Sequence, residues 1–383
     1  MRIGIDYRPC LKPGSRRRGI GRFTSQLVSH LLAADKDNSY TLYSIRGQRP
    51  QETPHQAAFV DLPYLARPSR LNWLLDRFTL PRRLRRDRLQ LFHATEHTSA
   101  PVSRETAVWA YVHDLIPYLF WEQTRRHLPA DFRYALSSAV ERVRQAAMVV
   151  TVSRHSRRDL CRHWGLEEDK VKVLYQDCHP ALGPVEEARA KARLQEKYGI
   201  SGHFLFYLGG TDFRKNLPAL VEAFAQLAGR GYRGSLVMAG ESFAWDIPEV
   251  QEVRARVVRH GLESRVLFPG YVPDADLGHF YSACQAFVFP SLYEGFGIPL
   301  LEAMRCGAPA VAAQAASLPE VGGEAARYFD PADSRSIADA LWEVLEDPVL
   351  RVRMGQQGLE RSRQFSWARS AERLCRWQKE ALR

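Results

Sequence analysis

Apolar runs and amphipathic stretches alternate along this chain, most regularly in its second half. Phe204–Leu208, Ser235–Ala239, Arg265–Phe268, Ala286–Pro290 and Ala310–Val311 read as buried strands. Between them, Asn216–Leu227 and Val250–His260 carry apolar residues at helical spacing. Strands alternating with helices predict a parallel sheet covered on both faces. The first half repeats the pattern less regularly. Arg2–Ile5, Tyr40–Ser44, Leu89–His93, Ala107–His113, Ala147–Val152 and Val171–Leu174 read as strands, and Phe23–Leu32 as a helix. Two α/β domains are expected, over residues 1–185 and 186–364, with a crossover near Ala181–Gly199. The stretch from Phe365 to Leu382 reads as a final helix.

One segment carries more chemistry than the rest: Pro290-Ser-Leu-Tyr-Glu294-Gly-Phe-Gly-Ile-Pro299-Leu-Leu-Glu302-Ala-Met-Arg-Cys-Gly307. A strand leads into a turn holding Gly295, Phe296 and Gly297. Ile298 and Pro299 open a helix that stops near Gly307. Glycines before a helix N-terminus expose backbone N–H groups and bring the positive end of the helix dipole to an anion. A carboxylate on either side of that turn suits a ligand combining phosphate with hydroxyls, as sugar nucleotides do. In a second strand–turn–helix block, Leu208-Gly209-Gly210-Thr-Asp-Phe-Arg214-Lys215-Asn216, two glycines allow close approach and two cations can neutralise a pyrophosphate.

With seven residues between Glu294 and Glu302 and the surrounding PS-x-x-EGFG-x-P-x-LEA and CGAP, the segment resembles the E-x7-E signature of family 4 retaining glycosyltransferases. Such enzymes have the GT-B fold, two Rossmann-like domains facing across a cleft. The resemblance implies that Glu302 binds ribose hydroxyls, Glu294 the donor sugar, and Arg214 and Lys215 the leaving diphosphate, whose growing charge needs preorganised cations. It extends to Gly19-Ile-Gly21-Arg22-Phe23, similar to the family's donor-facing G-I-G-R loop, which here follows Gly14-Ser-Arg-Arg-Arg. It also covers His113-Asp114-Leu-Ile-Pro117, where His113 would hydrogen-bond the donor sugar near the reaction centre, and Val152-Ser153-Arg-His-Ser156. The final helix is expected to cross back onto the first domain. The implied reaction is hexose transfer from a nucleotide diphosphate sugar to a saccharide or lipid-linked saccharide acceptor, with an α-linkage formed. G-I-G-R-F with H-D-L-I-P resembles mannosyltransferases of bacterial surface-polysaccharide assembly and favours GDP-mannose; UDP-glucose and UDP-N-acetylglucosamine stay open.

Several other readings compete. Thr24 stands where a dinucleotide fingerprint needs its third glycine, which argues against NAD. Glu294 and Glu302 lie on either side of the turn, so they suit the two ends of one ligand better than a glycosidase acid and nucleophile flanking one bond. Asp274 and Asp276 sit at a helix start, where acids are stabilised, so no metal is assigned and the reaction is expected to need none. His93 ends a strand and reads equally well as core or site. Ser153 reads as a helix cap.

Composition changes the picture in one respect. The chain has 383 residues, ordinary hydrophobic and charged content, and net charge +11. Residues 1–180 hold 30 Lys+Arg against 18 Asp+Glu, or +12, while the rest hold 24 against 25, or −1. A basic first half beside a neutral second half implies an anionic partner for the first domain. Leu71, Leu74, Leu75 and Phe78 at helical spacing, followed by Arg82, Arg83, Arg85, Arg86 and Arg88, read as an anchor on anionic membrane or as a packed helix with a solvated arginine tail. A nucleic-acid-binding module would leave Glu294 and Glu302 unexplained, so no nucleic acid is expected. Met1 runs straight into a strand, no apolar span approaches membrane length, and six cysteines lie scattered without a C-x-x-C pair. A cytoplasmic protein with reduced thiols, peripheral on the membrane at most, is the expectation.

Overall fold

The computed structural model describes residues 1–12, 19–48, 57–63, 70–125, 128 and 130–381; for residues 70, 71, 73–75 and 130–132 it describes the backbone. The chain divides into two compact units, Met1–Gln176 with Ser366–Arg383, and Asp177–Phe365. The division therefore falls after Gln176, ahead of the residue 185 expected from the sequence.

The first unit holds seven parallel strands: β1 (Arg2–Asp6), β2 (Ser39–Ile45), β3 (Ala58–Leu62), β4 (Leu91–Ala94), β5 (Ala107–Tyr111), β6 (Met148–Thr151) and β7 (Val171–Val173). They lie in the order β3-β2-β1-β4-β5-β6-β7. The second holds six, β8 (Phe204–Leu208), β9 (Ser235–Ala239), β10 (Val266–Gly270), β11 (Ala286–Phe289), β12 (Ala310–Ala313) and β13 (Ala326–Phe329), in the order β10-β9-β8-β11-β12-β13. Every pairing is parallel, with Phe206 opposite Phe287 at the centre of the second sheet. Helices cover both faces, so central strands are continuous apolar runs. In each sheet the order reverses once, between β1 and β4 and between β8 and β11. At such a reversal the loops after the two strands diverge and leave a crevice at their carboxyl ends.

Aromatic rings fill the second core: Phe206 packs on Phe280 at 5.0 Å and on Tyr281 at 5.3 Å. In the first unit, Phe92, Val108 and Val149 pack with Leu80 and Leu84 of helix Arg70–Arg86. The C-terminal helix Trp367–Glu380 belongs to this unit. Trp367 packs edge-on to Phe23 at 5.5 Å, and Ser370 donates to the Tyr175 carbonyl at 2.8 Å. Gln378 is fully buried, receives the Tyr40 hydroxyl at 3.0 Å and lies 3.1 Å from His93 Nε2. The other His93 nitrogen, Nδ1, is 2.9 Å from the Tyr111 hydroxyl. His93 is therefore a strut between two strands and the last helix, which decides its two readings for the core.

Three expectations change. The edge strands β3 and β13 went unread because each is half-exposed and carries a charge, Asp61 and Arg327, that breaks the apolar run. The first helix spans Gly19–Ala34, so Gly21 and Arg22 lie in its first turn rather than in a loop ahead of it; Gly14–Arg18 lie outside the described residues. The arginine-rich segment is no tail: the helix runs through Pro81 to Arg86 and ends in its basic turn, where cations complement the helix dipole. The Leu71, Leu74 and Leu75 side chains lie outside the described residues, while Phe78 is 51% exposed.

Three buried histidines make the first unit sensitive to acid. Burial pushes the His93 imidazole down to about 3 and those of His97 and His113 to about 4. An unfolded histidine takes its proton near 6.5, so the unfolded chain binds more protons between about 6.5 and 4, and stability falls as pH drops through that window. The loss is expected on the order of 1.4 kcal/mol per pH unit per histidine. Urea unfolding at pH 7, 6 and 5 measures it, and His93→Leu should shallow the slope by about a third. A slope unchanged in that variant would show that His93 does not contribute.

Candidate functional site

β8 and β11 are neighbours at the point where the second sheet reverses, and the two motifs picked out in the sequence follow them. The turn after β8 is tight. A side chain at Gly209 would meet the Tyr207 hydroxyl at 2.4 Å, and that hydroxyl donates to the Gly210 carbonyl at 2.6 Å. Asn216 adopts the left-handed conformation, φ 55° and ψ 37°, and its side-chain amide donates to the Pro331 carbonyl at 2.8 Å. That bend delivers Arg214 and Lys215 ahead of helix Leu217–Gly229. The turn after β11 docks on it, with Leu292 N–H donating to the Arg214 carbonyl at 2.7 Å.

The docking brings charges together across 79 residues of sequence. Lys215 Nζ lies 2.5 Å from Glu294 Oε1 and 5.5 Å from the centre of the Phe289 ring. Both charged side chains are mostly shielded, at 13% exposure each. Arg214 Nε pairs with Asp212 at 2.8 Å and Nη1 donates to the Tyr293 carbonyl at 3.2 Å, so the guanidinium is held beside the same turn. Ser317 donates to the Glu294 carbonyl at 2.9 Å. Gly295 and Phe296 complete the turn, and Phe296 packs edge-on to Phe365 at 5.6 Å. Gly297 then caps helix Ile298–Arg305 with φ 97° and ψ 52°. Glu302, in the second turn of that helix, is 3% exposed and accepts the Tyr281 hydroxyl at 3.0 Å.

Elsewhere the placements are plainer. In the first unit His113 is buried, with Nε2 3.3 Å from the Thr95 carbonyl and its ring 4.6 Å from that of Phe23. Its depressed basicity keeps it neutral at pH 7. Gly19 and Gly21 open the neighbouring helix, and the Gly21 carbonyl accepts from the Cys10 thiol at 3.4 Å. Ser153 accepts from Ser156 N–H at 3.0 Å and caps helix Arg154–Trp164. Asp276 is anchored by Lys197, by the Tyr198 hydroxyl at 2.8 Å and by Arg193 at 3.2 Å. Burial alone would raise its pKa, but these donors hold it down at about 2. Its carboxylate is thus committed to helix Glu187–Tyr198. The sequence did not reveal Asp212, Ser317 or Tyr281; Asp212, two residues before Arg214, had the most readable signal.

Residues 187–361 match the family model for glycosyl transferases group 1, and residues 17–176 that for glycosyltransferase family 4. The O-antigen chain mannosyltransferase B of Escherichia coli is 30% identical over 373 residues, covering 91% of this chain and 92% of that protein. A serotype-specific mannosyltransferase, WbdA of Escherichia coli, is 29% identical over 73% of this chain, which spans 34% of WbdA. Among solved structures, sucrose-phosphate synthase from Thermosynechococcus elongatus superposes with a TM-score of 0.78 at 19% identity, over 100% of this chain and 99% of its own. Anabaena HepE in complex with UDP and glucose gives 0.72 at 18%, over 99% of each. The two parallel-sheet units have the GT-B fold, and the family models with the 30% identical relative make the protein a glycosyltransferase. The chain belongs to glycosyltransferase family 4.

The turn at Gly297 gives a direct check of this local geometry. A Cβ there would sit 2.7 Å from Leu318 Cδ2 on a backbone that L side chains rarely adopt. Gly297→Ala is expected to cost about 1–3 kcal/mol. Gly210→Ala, whose Cβ would meet nothing nearer than Asp212 Oδ2 at 3.7 Å, should be close to neutral. Chemical denaturation of the two variants side by side measures the difference.

Proposed function

We propose that the protein transfers mannose, with retention of configuration, from GDP-mannose to a saccharide or lipid-linked saccharide acceptor. The observation that carries the donor half is the Lys215–Glu294 pair beside the N-terminus of helix Ile298–Arg305, in the crevice where the second sheet reverses. Kinship with an O-antigen mannosyltransferase supports mannose. In this reading Glu294 accepts hydrogen bonds from the donor sugar, while Lys215, Arg214 and the helix N-terminus receive the diphosphate. Glu302 binds the ribose hydroxyls, oriented by Tyr281. Glu294 also holds Lys215 in place before the donor arrives, so little reorganisation is needed as the leaving group gains charge. The leaving phosphate oxygen takes the proton of the incoming acceptor hydroxyl on the same face of the sugar. The protein cations carry the phosphate charge, and no metal is assigned. His113, neutral and buried at the carboxyl edge of the first sheet, is assigned to sugar hydrogen bonding rather than to acid–base chemistry.

Arg214→Ala or Lys215→Ala should lower kcat more than it weakens donor binding, because leaving-group charge peaks in the transition state. Glu302→Ala should weaken the donor about ten- to a hundredfold. Calorimetric titration with GDP-mannose, UDP-glucose and UDP-N-acetylglucosamine, followed by turnover assays with and without EDTA, reads all of these. Unchanged donor affinity in folded Glu302→Ala, or strict dependence on Mg²⁺ or Mn²⁺, would overturn the corresponding assignment.

Peripheral membrane contact belongs to the same reading. On helix Arg70–Arg86, Arg82, Arg85 and Arg86 are exposed with Phe78, and Leu80 and Leu84 face the core. Arg83 is held by Asp87 at 2.8 Å and Arg85 by Glu105 at 2.9 Å. Each cation near an anionic surface contributes on the order of 1 kcal/mol. Sedimentation with phosphatidylglycerol vesicles at low salt should pull down the protein, and an Arg82, Arg85, Arg86 and Arg88→Gln variant should stay in solution. Equal binding by that variant would remove the helix from the contact.

A further inference from the structure

We propose that the first unit carries a second ligand site, distinct from the donor crevice, for a phosphorylated saccharide. A cavity of about 530 Å³ opens between the edge strand β7, helix Arg154–Trp164 and the C-terminal helix. That volume lies within the usual range of small-molecule sites, roughly 300–1,000 Å³. Five cations line it: Arg154 and Arg157 from the first helix, Lys172 from β7, and Arg373 and Arg376 from the last. Three carboxylates share the lining, and of these Glu168 is spent on Arg157 at 2.8 Å. Arg373 reaches the Val173 carbonyl only at 3.5 Å. Among the described residues the side chains of Lys172 and Arg376 have no hydrogen-bond or ion-pair partner.

β7 and the last helix thus bring Lys172, Arg373 and Arg376 to one concave space, beside Asp169 and Glu380. Five cations against three carboxylates leave the lining positive, and a phosphate, with its several acceptor oxygens, suits guanidinium forks flanked by an ammonium. Trp377 and Tyr175, both half-buried, line the same cavity. Their rings offer an apolar face for a sugar ring beside the phosphate. None of these residues belongs to the donor crevice, and all lie in the first unit. The class of ligand rests on the reading of the chain as an enzyme acting on saccharides.

The test is calorimetric titration of the full chain with mannose 1-phosphate, inorganic phosphate and methyl α-mannoside, in the parent and in Lys172→Gln/Arg376→Gln. Neither residue is buried, so the double variant is expected to fold. Mannose 1-phosphate should bind the parent and lose at least about tenfold in the variant. Inorganic phosphate should bind more weakly than the sugar phosphate, and methyl α-mannoside should not register. Equal affinity in parent and variant overturns the site. Inorganic phosphate binding as tightly as the sugar phosphate overturns the saccharide assignment. Phosphatidylglycerol vesicles form the arm that separates a lipid headgroup: vesicle binding that depends on Lys172 and Arg376, with no mannose 1-phosphate binding, also overturns it. GDP titrated into the same variant keeps the two readings apart. Failure of GDP to bind either protein would fell the donor assignment and leave this one standing.

Discussion

The ion pair between Lys215 and Glu294 depends on strand order before it depends on either side chain. The two residues are 79 positions apart and meet because β8 and β11 are adjacent at the reversal of the sheet, so that the turns after them dock. The docking is secured by backbone, through the Leu292-to-Arg214 hydrogen bond, and by the left-handed Asn216 and Gly297. A mostly shielded pair of this kind is weak support for stability, since desolvation offsets most of the Coulomb gain. Its use lies elsewhere. It fixes the position of an ammonium against the turn that leads into helix Ile298–Arg305.

The equivalent reversal in the first unit is built differently. β1 ends in Asp6, and Arg8, two residues on, is almost wholly buried. Its guanidinium pairs with Asp6 through Nε and Nη2, both at 2.8 Å, and with Asp76 of helix Arg70–Arg86 through Nη1. Ser99 donates to Asp6 at 2.7 Å. Burial opposes charge on both Asp6 and Arg8, but their mutual attraction wins: the Asp6 carboxyl falls below its ordinary range and the Arg8 guanidinium rises. Burial dominates at Asp76 and raises it. Removing one partner of such a cluster typically costs about 3–5 kcal/mol, because a charge is left buried alone. The cluster therefore acts as a clamp between sheet and helix. Both switch points hold ion pairs; the pair of Asp6 with Arg8 is almost wholly buried, whereas Lys215 and Glu294 keep 13% exposure each.

How much of this was legible follows from burial. Strands covered on both faces announce themselves as unbroken apolar runs, as β8 and β11 do, and turns with glycine before a helix mark a bend at the end of a strand. The E-x7-E and Arg214-Lys215 blocks were both readable for that reason, though nothing in either block names the other as its partner. Half-exposed edge strands broken by a charge, Asp61 in β3 and Arg327 in β13, lack such a run, which hid these two. The arginine segment misled because charge density resembles a tail; Leu80 and Leu84, four residues apart, were the signal that the helix continues, and Pro81 between them argued against it. His93 could not be resolved from sequence at all. Its role is set by Gln378, 285 residues away, and no local pattern encodes that contact.

The charge asymmetry between the halves gains physical content once pairing is considered. The second unit is nearly neutral, and many of its cations are committed: Arg305 to Asp177, Arg256 to Glu222, and Lys197 and Arg193 to Asp276. Its exposed field is consequently short-ranged, and Lys215 too is paired, with Glu294. In the first unit, two surfaces carry clustered cations, the outer face of helix Arg70–Arg86 and the groove beside β7. The clamp at β1, by contrast, buries Asp6 and Arg8 and pairs them with each other. Uncancelled cations on a surface raise self-repulsion and contribute little to folding. A fold that already has its clamp gains little stability from them.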